Sequence, residues 1–312
     1  TAASSPSRLT MPLDAAGPVA DSIATLTRVL FIGATLVFAA VLLLLWLAVA
    51  RSPRPIAPRV WLLGGGVVFP VLLLVPLLID SVRRAHALTA PAPADALLIG
   101  VTARMWWWEL RYPDPAGGVD IVTANELHLP VGRAVRLSLS SPDVIHSLWV
   151  PQLAGKMDLV PGRQTHLVLS ASEGGVFDGA CAEYCGEQHT RMALRVIASA
   201  PAQFDAWLQQ QRAPAREPAA PLERAGRDAF LASGCAACHR VAGVSLGRLG
   251  PDLSHVASRS TLAAMRLPNN EQTLRLWIGE AQSLKPGAHM PSFAHLDAAT
   301  LTALAAYLAT LR

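Results

Sequence analysis

The chain has 312 residues, enough for two or three domains. Apolar residues make up 52% of it and charged residues only 15%, a balance skewed toward a membrane protein. The formal net charge is +4, without a lysine- or arginine-rich run of the kind that binds nucleic acid, so no nucleic-acid partner is expected.

Residues 1–28 open with an Ala/Pro/Ser-rich stretch. The chain starts at Thr1 rather than Met, which reads as a chain already relieved of a signal peptide. Two uncharged apolar runs follow, 29–50 and 60–79, each long enough to cross a hydrocarbon core of about 30 Å as a helix. The loop between them, 51–59, carries Arg51, Arg54 and Arg59 and no acid, and reads as cytoplasmic. Arg83 and Arg84 beyond the second run weaken that signal. Three adjacent glycines (64–66), Pro70 and Pro76 predict a kink and close helix contacts in the second run.

Residues 95–211 change character. Short β-like runs (ALLIGVTAR, RAVRLSLSS, VIHSLWV, THLVLSA, MALRVIA) are separated by Gly, Pro and Asp, which predicts an all-β sandwich or barrel. Residues 204–211 read as a brief terminal helix, and 212–221 (RAPAREPAAP) as a semi-extended Pro/Ala linker. Residues 222–312 have helical patterning, clearest at 222–233 and 297–311, with Asp297 as N-cap of the latter. Residues 95–212 hold twelve acids and nine bases, a net of −3; residues 221–312 hold six and nine, a net of +3. Opposite charge predicts salt-sensitive docking of one part on the other.

All four cysteines fall in two short motifs. Cys181, Cys185, His189 and Met192 form C-x3-C-x3-H-x2-M, a soft donor set that favours copper. Blue copper needs one Cys, two His and an axial Met, so one thiolate is in excess; two thiolates could instead bridge two coppers, each with one His. The second imidazole must come from elsewhere, and His146, near Asp143, is the best candidate. The Cys pair alone would fit a disulfide about as well; the three further donors make that a minor reading. His128 and His166 read as strand-surface histidines. The second motif, Cys235-x-x-Cys238-His239, is the attachment signature of a c-type haem, with His239 as proximal ligand. A zinc site would need further cysteines or histidines at zinc-type spacing, and no other cysteine exists. Haem c is attached outside the cytoplasm, so both termini are expected outside and the hairpin loop inside. The sixth iron ligand is open among Met265, Met290, His255, His289 and His295.

SPDVIHSLWVPQLAGKMDLVPGR followed by DGACAEYCGEQHTRM resembles subunit II of the haem–copper cytochrome c oxidases over residues 20–210. The resemblance implies a two-helix transmembrane hairpin and an all-β cupredoxin-like (Greek-key) domain bearing the dinuclear CuA centre. It implies Cys181 and Cys185 as copper bridges, His146 and His189 as terminal ligands, Met192 as a weak ligand and Glu183 as a ligand through its backbone carbonyl. It also places the Glu183 side chain near a magnesium shared with the catalytic subunit. The run Met105 to Trp108 resembles the family's tryptophan segment over the copper, with Trp106 where electrons enter. One departure is the start of the second helix, PRVWLLGG, which lacks the glutamate such oxidases often carry at a proton-uptake mouth.

The haem motif, with GRDAF before it, LGPDLSHV and GAHMPSF after it and AAYL near the end, resembles the small class I cytochromes c. That implies an all-α domain with crossing terminal helices, Gly226 allowing close approach while Phe230 and Tyr307 pack, Pro251 beside the proximal histidine and Met290 as axial ligand, with His289 as runner-up. The expected layout is therefore a mixed fold: segment 1–28, membrane helices 29–50 and 60–79, a CuA domain 95–211, a linker 212–221 and a cytochrome c domain 222–312.

Together these imply a two-pass subunit of a bacterial inner membrane, with both redox domains on the outer, periplasmic face. Its expected role is to pass electrons from its own haem c to CuA and on to the catalytic subunit I of a proton-pumping cytochrome c oxidase, where oxygen is reduced. The oxygen-reducing site lies on another chain. Expected partners are that haem–copper subunit, subunit III, and a quinol–cytochrome c reductase or small cytochrome c upstream. The alternative is a CuA-bearing accessory subunit of a nitric oxide reductase. A quinol-oxidising relative would lack the copper cysteines, and a nitrous oxide reductase would need a propeller domain for which there is no room.

Overall fold

The computed structural model describes residues 14–51 and 57–312. The first thirteen residues, and Arg54 with most of the arginine loop, lie outside the described residues.

Two long helices come first. Helix α1 spans Pro18–Ala50, and a second helix spans Val60–Leu88, opening as a π-helix over Val60–Val68 and continuing as α2 over Phe69–Leu88. Both exceed the apolar runs 29–50 and 60–79. Charged residues end a hydrophobic run without ending a helix, so Arg83 and Arg84 lie inside α2 rather than after it. The π segment coincides with the three glycines: the Phe69 amide bonds the Gly64 carbonyl, five residues back, just before Pro70. Phe31, Leu36, Trp46, Leu62 and Leu72 are all more than half exposed. Side chains this apolar with no protein over them require lipid, and the two helices anchor the chain in a membrane. A Cβ built at Gly64, Gly65 or Gly66 meets nothing within 4 Å, so the close helix contact expected there is not made among the described residues.

The start of α1 is not membrane-like. Ala20 and Ala24 are buried, and the chain just before them is stitched into the β domain by Ala16 N–H to the Gln152 carbonyl (2.8 Å) and Ser172 N–H to the Ala16 carbonyl (2.8 Å). The β domain thereby sits directly on the end of the helix.

That domain is a sandwich of two five-stranded sheets, in the orders β3-β2-β1-β5-β8 and β4-β10-β9-β6-β7. The strands are β1 Leu97–Arg104, β2 Trp107–Tyr112, β3 Ile121–Ala124, β4 Glu126–Pro130, β5 Val135–Ser140, β6 His146–Trp149, β7 Met157–Leu159, β8 Thr165–Leu169, β9 Gly175–Cys181 and β10 Ala193–Ser199. Alternation drives the layering: Ile99, Val101 and Ala103 on β1 are wholly buried. The pairs β1–β5 and β4–β10 are parallel, so the chain crosses between sheets rather than meandering, as a cupredoxin-like fold requires. Helix α3 (Pro201–Arg212) closes the domain. It covers His128, which is not a surface histidine: its ring stacks on Trp207 at 4.0 Å.

The C-terminal unit is helical, with two minor two-residue ladders. Helix α4 (Pro221–Ala232) crosses α7 (Ala298–Thr310), and Gly226 makes the crossing possible: a Cβ there would run into the Ala303 carbonyl and Tyr307. Phe230 and Tyr307 meet edge to face at 5.9 Å beside it. Asp297 caps α7 by accepting from the Thr300 amide at 2.8 Å. The one-turn helix α5 (Cys235–Cys238) and α6 (Glu271–Leu284) complete the unit.

Candidate metal and haem centres

The copper motif occupies the loop joining β9 to β10. Cys181 is the last residue of β9, and its amide bonds the Met192 carbonyl at 3.0 Å, which closes the loop at its base. His146 opens β6, which pairs with β9 in the register Leu148 to Cys181, so the sheet itself brings His146 to the loop. Gly186 has φ +109 and faces Trp106, where a Cβ would come within 3.1 Å of the ring; the turn needs a glycine twice over.

The four donors surround two thiols. Cys181 Sγ and Cys185 Sγ are 3.7 Å apart, far beyond the roughly 2.05 Å of a disulfide, and all four cysteines are free. His146 Nδ1 lies 3.8 Å from Cys181 Sγ, and His189 Nδ1 lies 3.6 Å from Cys185 Sγ. Metal–sulfur and metal–nitrogen bonds of about 2.3 and 2.0 Å would separate S and N by about 3.5 Å at a tetrahedral angle, close to both observed separations, so each pair can share a metal. Met192 Sδ is 4.0 Å from Cys185 Sγ, and the Glu183 carbonyl is 3.2 Å from Cys181 Sγ. Each thiol thus has its own imidazole. The contact with Cys185 draws the Cys181 thiol below its ordinary range, and the same contact pushes Cys185 up. The second ionisation is unfavourable unless cations share the pair, which is what a thiolate-bridged metal site supplies.

Asp143 orients the site. Its carboxylate accepts from His146 Nε2–H (2.8 Å), the Met105 amide (2.8 Å) and the Val144 amide (2.7 Å). Burial would raise its pKa, but these bonds outweigh it and hold the carboxyl low. Burial likewise opposes protonation of His146, and its bonds to Cys181 and Asp143 reverse the direction. With Nε2–H committed to Asp143, Nδ1 is left for a metal. The Glu183 side chain is half exposed, 3.8 Å from Lys156.

The haem motif opens onto a cavity of about 450 Å³ whose lining includes Cys235, Cys238, His239, Pro251, Met290 and Trp106. His239 Nδ1–H donates to the Pro251 carbonyl at 2.8 Å, which leaves Nε2 free to face an iron. Burial holds this imidazole below its ordinary pKa, hence neutral and able to ligate. Gly250 is what admits the ring: a Cβ there would sit 2.5 Å from His239 Cε1. Of the five candidates for the sixth position, Met290 and His289 line the cavity; Met265, His255 and His295 do not. Gln282 on α6 holds the loop that carries Met290, donating to the Ala288 and Met290 carbonyls at 2.6 Å each. Attachment cysteines, a neutral proximal imidazole and a loop-borne thioether around one cavity suit a haem c.

The two sites meet. Trp106 is buried, lines the haem cavity, and donates from Nε1–H to the Cys185 carbonyl at 2.9 Å. Trp108 lies behind it, edge-on to His146 at 6.4 Å. Around this point Gln188 donates to the Pro286 carbonyl at 2.8 Å, and the Ser260 amide and hydroxyl bond Glu126 at 2.7 and 2.5 Å. None of the ion pairs among the described residues crosses the seam, so opposite charge is not what holds it. Sequence reasoning missed Gln188, Gly250, Gln282 and Lys285, which carry no motif of their own.

Comparison with known proteins assigns a family to each of the two domains. Residues 116–199 match the family described as cytochrome C oxidase subunit II, periplasmic domain, and residues 223–312 match cytochrome c. The chain is 35% identical over 250 residues to cytochrome c oxidase subunit 2 of Alkalihalophilus pseudofirmus, covering 78% of this chain and 71% of that one. It is 30% identical over 264 residues to the Bacillus subtilis protein of the same name, covering 78% and 73%. Among solved structures it matches the periplasmic domain of subunit II of cytochrome oxidase from Bradyrhizobium japonicum at 27% identity and a TM-score of 0.36, covering 39% of this chain and 97% of that one.

Proposed function

Since the chain belongs to the cytochrome c oxidase subunit II family and carries a cytochrome c domain, we propose that it admits electrons at its own haem c and passes them through a dinuclear copper centre to the catalytic subunit of a proton-pumping terminal oxidase. The bound haem and coppers would supply the one-electron chemistry; the chain supplies ligands, spacing and exclusion of water. In this reading residues 95–211 hold copper and residues 222–312 hold haem. Cys181 and Cys185 would hold the coppers between them, with His146 and His189 as the imidazole ligands and Met192 and the Glu183 carbonyl as weak donors. Cys235 and Cys238 would attach the haem, and His239 and Met290 would ligate its iron.

The observation that carries the route is Trp106, a single side chain that both walls the haem cavity and bonds a copper-bridging cysteine. The exposed Val144, Ile145, Trp149 and Tyr184 around the copper loop form an apolar face suited to the catalytic subunit, with the Glu183 carboxylate at hand for a shared magnesium. Subunit III and a donor from the quinol–cytochrome c reductase step complete the expected assembly in a bacterial inner membrane, with both termini outside.

The test is kinetic. In the purified oxidase, photoreduction of the haem should be followed by reduction of the copper band, and Trp106→Leu should slow that step by about tenfold or more, since the packed contact bridging the two sites is lost. An unchanged rate would remove Trp106 from the route. Copper analysis of this chain should count two atoms; one atom would end the dinuclear reading.

A further inference from the structure

One buried cation sits at the seam between the two centres. Lys285, the C-cap of α6, is 3% exposed, and its Nζ donates to the carbonyls of Trp106 (2.7 Å), Arg191 (3.2 Å) and Ala263 (3.3 Å). These three carbonyls come from three different places. Trp106 belongs to the tryptophan segment, Arg191 stands between the copper donors His189 and Met192, and Ala263 belongs to the wall of the haem cavity. No carboxylate of the described residues pairs with this ammonium. Burial lowers its pKa to about 8, which leaves it charged at neutral pH.

The residue type matters as much as the place. Of 26 basic residues only Lys156 and Lys285 are lysines. An ammonium offers three N–H donors on one compact, rotatable centre, whereas a guanidinium is a planar fork suited to paired acceptors. Three converging carbonyls match the first and not the second. The loop that follows Lys285 extends the contact, since Pro286 accepts from Gln188 of the copper loop and Gly287 packs on Trp106, so closely that a Cβ would lie 3.4 Å from its ring. The same loop carries Met290.

We propose that Lys285 is the positioning residue for electron transfer across this seam: by binding the three carbonyls at once, it fixes Trp106 and the copper loop against the haem-bearing domain. Its side chain also lines the haem cavity, but it acts through Trp106 and the loop carbonyls and offers no ligand to either centre. This rests on the electron route given above.

The experiment uses the intact oxidase, with the haem photoreduced and copper reduction timed. Hydrogen bonds to a charged group are each worth about tenfold or more in an equilibrium constant, so Lys285→Met should slow the internal step by at least about tenfold. Absorption spectra and potentials of both centres should stay at the parent values. Hydrogen exchange should rise over residues 104–108 and 187–192. Lys285→Arg keeps the charge without the three-donor geometry and should not restore the rate. Where Lys285→Met does not accumulate, Lys285→Gln replaces it with the same expectation. A variant rate within about twofold of the parent, the range of an indifferent substitution, overturns the proposal, as does full restoration by arginine. Altered copper or haem spectra also overturn it, because the lysine would then be holding up a centre rather than aligning two. If the parent transfers and the variant matches it, the route stands and this inference alone fails. If the parent passes no electron from haem to copper, both fall.

Discussion

Asp143 decides which nitrogen of His146 faces the thiol, and it does so with the same carboxylate that receives the Met105 amide. One residue thus ties the proposed copper donor His146 to the tryptophan segment, an arrangement in which outer partners set the tautomer and ring direction of a ligand. On the haem side the Pro251 carbonyl does this for His239, and Gln282 holds the loop of Met290. Met290 and His289 are adjacent and both reach the cavity, so substitution must choose between them. Met290→Ala should leave haem covalently attached through Cys235 and Cys238, lower its potential, and open the iron to added ligands such as imidazole. Thioether ligation raises the potential of a His-ligated haem, which sets the sign. A ligand-binding titration and a redox titration check this; parent values in both would assign the position to His289.

At the scale of elements, α3 does more than end the β domain. Trp207 on α3 stacks on His128 of β4 and also meets Tyr112 of β2 at 5.0 Å, so one helix binds both sheets together. Burial drops the His128 pKa to about 4, against an ordinary 6.5. Between these values the unfolded chain binds a proton that the folded chain refuses. The stability from keeping His128 neutral is therefore complete above pH 6.5 and is lost as pH falls toward 4, by up to roughly 3 kcal/mol. Thermal unfolding of the β domain in the solubilised chain should show this loss between pH 7 and 4.5. His128→Phe, which keeps a stacked ring without a titrating group, should flatten it. An equal pH dependence in both chains would mean that His128 is hydrated or already charged.

At the scale of the whole molecule, the tether and the seam divide the work. A short linker holds the haem unit at an effective concentration of order mM, so association needs little further help. The net charges of −3 and +3 favour approach, but the contacts at the seam include no ion pair among the described residues: they are neutral hydrogen bonds, the Ser260–Glu126 pair, one exposed bond from Arg195 to Ser260 and the buried Lys285. Salt screens exposed charges far more than buried ones. Raising ionic strength to about 0.5 M should therefore leave internal haem-to-copper transfer within about twofold of its low-salt rate, although the Debye length contracts severalfold. Truncation after Arg212 should abolish turnover with the native donor and leave copper bound. Full turnover of the truncated oxidase would make the haem domain an appendage. The cover over Trp106 gives the reason to expect loss: truncation does not restore the surface an outside donor would have been shaped to meet.

Much of this was legible without coordinates because it rests on local chemistry. The C-x-x-C-H motif, the soft donor cluster of 181–192, the two apolar runs and the cap at Asp297 each state their role within a few residues. His146 was legible as a candidate because a second imidazole was needed in the same domain and a β-like run beside Asp143 offered one, while its role as a terminal ligand came with the resemblance. The two helices ran further than the apolar runs because helix length follows backbone bonding and hydropathy does not. Strands β2, β3, β4, β7 and β9 were not singled out: short strands paired across two sheets are decided by partners distant in sequence. What only the tertiary structure decided is the seam. Lys285, Gln188, Gly250 and Gln282 are ordinary residues in ordinary sequence contexts. Their roles come from carbonyls and rings that folding brings beside them, and no pattern of spacing encodes where a carbonyl a hundred residues away will point.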